Sequence, residues 1–200
     1  MTKKKLLFII TQSELGGAQR WLFDTVTNLD RERFKIIAAA PSGPLFNRLK
    51  ISGIETKRIK NFQRNINPLR DIFAFLEIYR LLKKEQPDIL QLCSSKAGFL
   101  GALAGKLAGI KKIIYRIGGW SFNDPRPAWQ NKIILRLEKI SAPFKDKIIV
   151  NSKNNLEQAL ALKICSRKKL SLLYNGINTD SLSHSPPKAD QPRAGKFEIK

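Results

Sequence analysis

The feature that most constrains this chain is an alternation of short, β-branched apolar runs with helical patterns along most of its length. Runs that read as buried strands are KLLFII (5–10), FKIIAAA (34–40), ETKRI (55–59), DILQLC (88–93), KKIIYRI (111–117), DKIIV (146–150) and KLSLLY (169–174). Helical patterns fall between them at 16–29, 44–52, 69–85, 97–108, 127–141 and 153–163. The third of these carries Leu69, Ile72, Phe73, Leu76, Ile78, Tyr79 and Leu82 at about the 3.6-residue period of a helix face. Strands that are apolar on both faces, with helices between them, predict a parallel sheet covered on both sides. Right-handed crossovers then make a doubly wound, Rossmann-like domain with three α/β/α layers over residues 1–177.

Such sheets bind ligands at the carboxyl ends of their strands. The loops to inspect are therefore 11–18, 41–44, 60–68, 94–97, 118–127, 151–153 and 175–180. Beyond them, NTDSLSHSPPKADQPRAGKFEIK (178–200) is polar and rich in Pro and Ser. It reads as a linker reaching the first strand of a second, donor-binding domain, with a disordered terminus as the plainer alternative.

Composition narrows the function class. The net charge of +21 allows nucleic-acid binding, attraction to an anionic membrane, or a lysine excess that favours anionic substrates. No Arg-rich tail, zinc-finger spacing or RNA-binding strand signature accompanies it, so nucleic acid ranks last. Cys93 and Cys165 stand far apart and His184 is the lone histidine. A His-based metal site and a Ser-His-Asp triad are thereby excluded, and no metal is expected. Cysteine usage fits a reducing, cytoplasmic compartment. The opening MTKKKLLFIITQSE is too short in its apolar core for a signal peptide. AGFLGALAGKLAGI (97–110) is too short to span a bilayer and is interrupted by Lys106. Its Gly98, Gly101, Gly105 and Gly109 predict a smooth helix face lying close against the sheet.

Several loops have two readings each. In TQSELGGAQRWL (11–22) a strand ends, Gly16 and Gly17 follow, and a helix begins. The glycines permit left-handed angles or close approach, so backbone N–H groups at the helix start can meet a phosphate, with Gln19 and Arg20 as added donors. A plain tight turn has the same letters, and neither GxGxxG nor the P-loop pattern is present. In LCSSKAG (92–98), Ser94 or Ser95 can be an N-cap. Lys96 sits on the unfavourable side of the helix dipole, which points to a negative partner or to a snorkelling side chain. RIGGWSFNDPRP (116–127) joins paired glycines to Trp120, Phe122, Asn123, Asp124 and Arg126. That set suits a sugar-binding surface, and equally a turn capped by Asp124. In the helix 127–141, Trp129, Ile133, Leu137 and Ile140 share one side, with Lys132, Arg136 and Lys139 on another. The stripe fits a face packed on the sheet, or a basic amphipathic helix on a membrane.

In order and spacing, GGAQR, PDILQLCSSKAGFLGALAGKLAG, KIIYRIGGWSF, KIIVNS and LLYNGINTD resemble the N-terminal domain of family 4 glycosyltransferases of the GT-B fold, from about residue 5 to 182. The resemblance implies one acceptor-side half of a two-domain enzyme. It implies a retaining, metal-independent and cofactor-free transfer from a UDP- or GDP-linked nucleotide-sugar to a glycan or lipid-linked acceptor, with peripheral contact at the inner face of an anionic membrane. Carried over, Gly16 and Gly17 meet the donor diphosphate. The acceptor side comprises Gln19, Arg20, Ser94, Ser95, Lys96, Gly118, Gly119 and Trp120. The chain departs from the family where histidines are common: it has Gln91 and Cys93 before SSKAG, and Gly118 in the fifth-strand loop. Arg116, Asn123 and Asp124 are candidates to replace the missing histidine. Without the donor-binding domain the chain is expected to be inactive. The alternative is a non-catalytic, acceptor-binding half that pairs with a separate donor-binding chain.

Overall fold

The computed structural model describes residues 2–176; the linker and second-domain assignment of 178–200, and His184, lie outside them. Seven strands form one all-parallel sheet: β1 (Lys4–Ile9), β2 (Phe34–Ala40), β3 (Glu55–Arg58), β4 (Ile89–Leu92), β5 (Ile113–Ile117), β6 (Lys147–Val150) and β7 (Leu170–Leu172). Their spatial order is β3-β2-β1-β4-β5-β6-β7. The crossovers are helices α1 (Gly17–Asn28), α2 (Pro44–Ile51), α3 (Pro68–Glu85), α4 (Ala102–Ala108), α5 (Ala128–Ser141) and α6 (Lys153–Ala161).

The sheet has a core on each face, because successive strand residues point to opposite sides. Leu6, Phe8 and Ile10 meet Leu22 and Val26 of α1 and Leu45 and Leu49 of α2. Leu7 and Ile9 belong to the other core, with Ala74, Ile78 and Leu82 of α3, residues of α4 and Ile134 of α5. The chain therefore winds outward from β1 in one direction with helices on one face. It returns through α3 and continues from β4 with helices on the other. Between β1 and β4 the winding reverses, and a crevice opens at such a switch point.

The glycine stripe does what the sequence predicts at three of its four positions. A Cβ at Gly98 would lie 2.6 Å from the Tyr115 ring, one at Gly105 2.8 Å from Leu90, and one at Gly101 would collide with Leu92. Gly109 instead ends α4 in the left-handed region, with φ +81°. The expected helix over 97–108 opens as a π-turn, Ala97–Gly101, before α4. Widened turns of this kind recur at functional sites, and Phe99 and Leu100 of this one line the crevice.

Two helices leave part of their predicted apolar stripe exposed, although Ile78 and Leu82 of the α3 stripe are fully buried. In α5 the inward residues are Ile134, Glu138 and Ser141, while Trp129, Ile133 and Ile140 are exposed. The reason is Lys145, fully buried just beyond α5, whose Nζ lies 3.0 Å from Glu138 Oε2. An unpaired buried charge costs more than an exposed isoleucine, so α5 turns its carboxylate inward. In α3, Leu69, Ile72 and Phe73 are exposed. This 18-residue helix is about 27 Å long, whereas the 4-residue β4 spans about 13 Å. The first turns of α3 overhang the sheet, and Asp71 among them lines the crevice.

Candidate functional site

The carboxyl ends of β1, β4, β5 and β6 enclose a crevice of about 680 Å³, bounded by α3 on one side and α5 on another. Gly16, Gly17 and Gln19 after β1, Ser94, Ser95 and Lys96 after β4, and Gly118 and Gly119 after β5 all line it. The two glycine pairs, about a hundred residues apart in sequence, thus share one opening.

The Gly-Gly joint works through space rather than through unusual angles. Gly16 is extended, with φ −162°, and the positive-φ glycines are Gly43, Gly53 and Gly109. The left-handed angles the sequence allows are therefore not used. A Cβ at Gly17 would meet nothing within 4 Å, which leaves the start of α1 open. Gly16 offers no side-chain cap to that helix and no acidic residue lies in its first turn, so N–H groups there remain free to meet an anion. Gln19 is buried and donates to the Gln12 carbonyl at 3.3 Å.

Ser94 ties the two central loops together. Its Oγ accepts from the Thr11 N–H at 3.1 Å and lies 2.6 Å from Thr11 Oγ1. Lys96, on the unfavourable side of a helix start, finds its negative partner within the chain: its Nζ lies 2.7 Å from Asp71 Oδ1 and also donates to the Asn65 carbonyl. That clamp fixes the overhanging end of α3 across the crevice.

Other candidates stand away from it. Trp120 is only 2% exposed, stacks on Phe122 at 5.4 Å and donates its indole N–H to the Asn155 carbonyl. It is an interior brace and offers no open face to a sugar. Arg20 lies on the exposed side of α1 near Asp24. Asn123 donates to Gln158 of α6 at 2.9 Å. Asp124 reaches the crevice but is engaged by Arg126 at 3.0 Å and by Arg64 at 3.3 Å.

Arg116 is different. It is 3% exposed, its guanidinium sits 4.3 Å above the Trp21 ring, and Nη2 donates to Asn175 Oδ1 at 2.6 Å. Its Nη1 has no hydrogen-bond partner among the described residues. A Cβ at Gly118 would stand 3.4 Å from that Nη1, which is itself enclosed just behind the crevice lining. Burial lowers the guanidinium's pKa from its usual value, yet an arginine stays charged. The lining contains four cationic and four acidic side chains. Three of the cations are paired with carboxylates of the chain, Lys96 with Asp71 and both Arg64 and Arg126 with the one carboxylate of Asp124. Arg116 is the lining cation without one.

Among the wall residues, Asp71 and Glu138 had no signal of their own in the sequence. Asp71 comes from the first turn of α3 and Leu137 and Glu138 from α5, while Arg64, Ile66 and Ser121 come from the loops 60–68 and 118–127 that the sequence marks for inspection. Only the buried partners Lys145 and Tyr115 explain why Glu138 faces inward.

With this geometry in view, comparisons with known proteins place the chain. The sequence profile described as Glycosyltransferase Family 4 matches residues 15–181. An Escherichia coli UDP-Gal:alpha-D-GlcNAc-diphosphoundecaprenol alpha-1,3-galactosyltransferase is 27% identical over 190 residues, covering 94% of this chain and 49% of the relative. Among solved structures, Anabaena Alr3699/HepE in complex with UDP and glucose superposes with a TM-score of 0.67 at 19% identity, over 88% of this chain and 46% of that one. The apo lipopolysaccharide outer core galactosyltransferase WaaB gives 0.62 at 19% identity, over 94% and 50%. The chain spans about half the length of these proteins, and its fold is that of one Rossmann-like half of a GT-B glycosyltransferase. By the extent of the profile match, the chain belongs to glycosyltransferase family 4.

Proposed function

We propose that this chain forms the acceptor-side wall of a retaining, metal-independent glycosyltransferase that moves a sugar from a nucleotide-sugar to a lipid-linked glycan. The observation that carries the reading is a crevice lined both by the open start of α1 and by Arg116, whose guanidinium has no carboxylate partner among the described residues. In a transfer, the bond from the sugar's anomeric carbon to the diphosphate breaks and a bond to an acceptor hydroxyl forms. Negative charge grows on the departing diphosphate, and fixed donors aimed at it lower the barrier. Gly16 and Gly17 supply backbone donors, and Arg116 supplies the charge where the family commonly has a histidine. Of the three residues that could take that place, Asp124 is already neutralised and Asn123 is tied to α6.

UDP is the nucleotide favoured here, because it is the one named for the Escherichia coli relative and the Anabaena structure. The relative's acceptor is a diphosphoundecaprenol, and apolar residues such as Leu15, Ile66, Phe99 and Leu100 around the present crevice suit a lipid-linked substrate. The test is turnover of UDP- and GDP-sugars by the full-length protein with Arg116→Ala, Arg116→Lys and Asn123→Ala. Arg116→Ala should lower kcat at least 100-fold, Arg116→Lys less, and Asn123→Ala should change little. Unchanged turnover in Arg116→Ala removes the assignment.

A second observation supports peripheral contact with an anionic membrane. Leu69, Ile72 and Phe73 of α3 and Trp129, Ile133 and Ile140 of α5 are exposed, beside Arg70, Lys132, Arg136 and Lys139. Both helices begin at the rim of the crevice. Apolar side chains flanked by cations suit the headgroup boundary of an anionic bilayer. No helix among the described residues is long and apolar enough to cross one. Co-sedimentation with phosphatidylglycerol vesicles should be lost on Phe73→Gln/Trp129→Gln and weakened by salt. Binding to an oligonucleotide with equal strength would point to nucleic acid instead.

A further inference from the structure

Behind the crevice runs a chain of hydrogen bonds whose direction is fixed from its buried end. Lys145 Nζ, fully enclosed, donates to Glu138 Oε2 and to Ser141 Oγ, each at 3.0 Å. Ser141 passes its own proton to the Leu137 carbonyl at 2.8 Å. Glu138 Oε1 lies 2.8 Å from Tyr115 Oη, and that oxygen lies 3.3 Å from Ser95 Oγ. Ser95 Oγ in turn makes a short contact with Ser121 Oγ. Ser95, Ser121 and Glu138 all border the crevice, while Tyr115 is completely buried.

A lysine ammonium only donates, a carboxylate only accepts, and a phenol has one proton. The Tyr115 proton therefore goes to the nearer and charged partner, Glu138. The phenol oxygen is left as an acceptor, and the hydroxyl within reach is Ser95. With its proton committed to Tyr115, Ser95 can only accept from Ser121. Ser121 then has no proton left for the crevice. The opposite order would leave the phenol oxygen without a donor in a buried place, which costs a hydrogen bond. Burial and the Glu138 charge both raise the phenol's pKa well above the ordinary tyrosine value, so the proton that starts the cascade is retained.

The geometry points to a wall subsite, made by Ser121 and Ser95, that shows only lone pairs to the crevice and so selects a hydrogen-bond donor, such as a hydroxyl or amino group of the sugar acceptor, while rejecting acceptor-only groups. Tyr115, Glu138 and Lys145 are positioning residues: they set which way the serine protons point. The sugar identity of the ligand rests on the function proposed above; the direction of the protons does not.

Two measurements separate these. Neutron diffraction of the deuterated full-length protein reads the deuterons directly: those of Tyr115, Ser95 and Ser121 should point to Glu138, Tyr115 and Ser95 respectively. A Ser121 deuteron aimed into the crevice overturns the proposal. Ligand-observed NMR titration then uses methyl α-D-glucopyranosides in which one hydroxyl at a time is replaced by fluorine, which cannot donate, or by an amino group. At one ring position the fluoro derivative should bind about tenfold more weakly than the amino derivative, the usual effect of one lost hydrogen bond. In Tyr115→Phe the Ser95 proton swings to Ser121 and the Ser121 proton turns outward, so the preference should reverse. Ser95→Ala cuts the chain beside the ligand and should abolish the preference while leaving the buried lysine pair intact. Equal binding of fluoro and amino derivatives at every position overturns the subsite. No binding by any glucoside overturns the sugar assignment, and the deuteron positions still decide the direction.

Discussion

A methyl group added at Gly98 would come within 2.6 Å of the Tyr115 ring, and that ring has nowhere to move. Glu138 holds its hydroxyl, and Lys145 Nζ sits 4.1 Å from the ring centroid. Gly98→Ala is therefore expected to destabilise the fold by about 1–3 kcal/mol through overpacking, despite the better helix propensity of alanine. Gly119→Ala, where an added Cβ meets nothing within 4 Å, should stay within about 0.5 kcal/mol; urea denaturation of both variants checks the contrast. Cys93 makes a second prediction. Burial pushes its thiol up to about 12 from an ordinary 9.0. A raised folded-state pKa gives stability that is complete below pH 9 and is lost as the pH climbs towards 12, because only the unfolded chain ionises in that interval. Relative to Cys93→Ala, the wild-type chain should thus lose about 1.4 kcal/mol per pH unit above pH 9. Denaturation curves at pH 8 and 10.5 measure it. At this scale the sequence showed that Gly98 must face something close, since the glycines repeat along one side of a helix. It could not show Tyr115 joined to Glu138 and Lys145. Those three come from different elements and meet only once the sheet is assembled.

The helices illustrate what periodicity can and cannot tell. Their existence and approximate limits were legible. Asn67 accepts from the Arg70 N–H at 3.1 Å and opens α3, and Ser152 accepts from the Asn155 N–H at 3.2 Å and opens α6. The inward face was not legible for α5. Its apolar stripe implied burial of Trp129, Ile133 and Ile140, and a buried ion pair overrode it. The expected consequence is an inversion of mutational cost between neighbours. Ile134→Ala, in the core, should cost about 2–4 kcal/mol, whereas Ile133→Ala should cost under about 0.5 kcal/mol. Equal losses in thermal denaturation would mean that α5 sits in the rotation its apolar stripe implied. The exposed stripe then becomes available for a surface role, which is why membrane contact and the fold are tested by the same helix. For α3 the mismatch has a different cause: helix and strand lengths differ, so the first turns have no sheet beneath them, and Asp71 among them lines the crevice.

At the scale of the molecule, strand count and parallel winding followed from the alternation of patterns, and the crevice followed from the winding. Its charge did not. A chain with net charge +21 invites the expectation of a strongly positive binding site, yet its four lining cations stand among four lining acids, three of the cations paired with Asp71 or Asp124, and Arg116 stands out by its missing partner. This sets a ceiling on what the wall can bind alone. The start of α1 contributes about 0.3–1 kcal/mol to an anion, and about 2 kcal/mol when partly buried. A charge-assisted hydrogen bond from Arg116 adds about 1.5–3 kcal/mol. Millimolar affinity needs about 4 kcal/mol and micromolar about 8 kcal/mol, so residues 1–200 should bind a UDP-sugar with a Kd near millimolar and no tighter. Isothermal calorimetry at physiological salt checks this, and Arg116→Ala should take the signal below detection. Because the phosphate contacts proposed here are a helix end and one guanidinium, affinity should also weaken as salt rises. A micromolar Kd would mean that donor recognition is already complete in this wall. The division of labour proposed here, with the nucleotide held mainly by a facing domain, would then have to be abandoned.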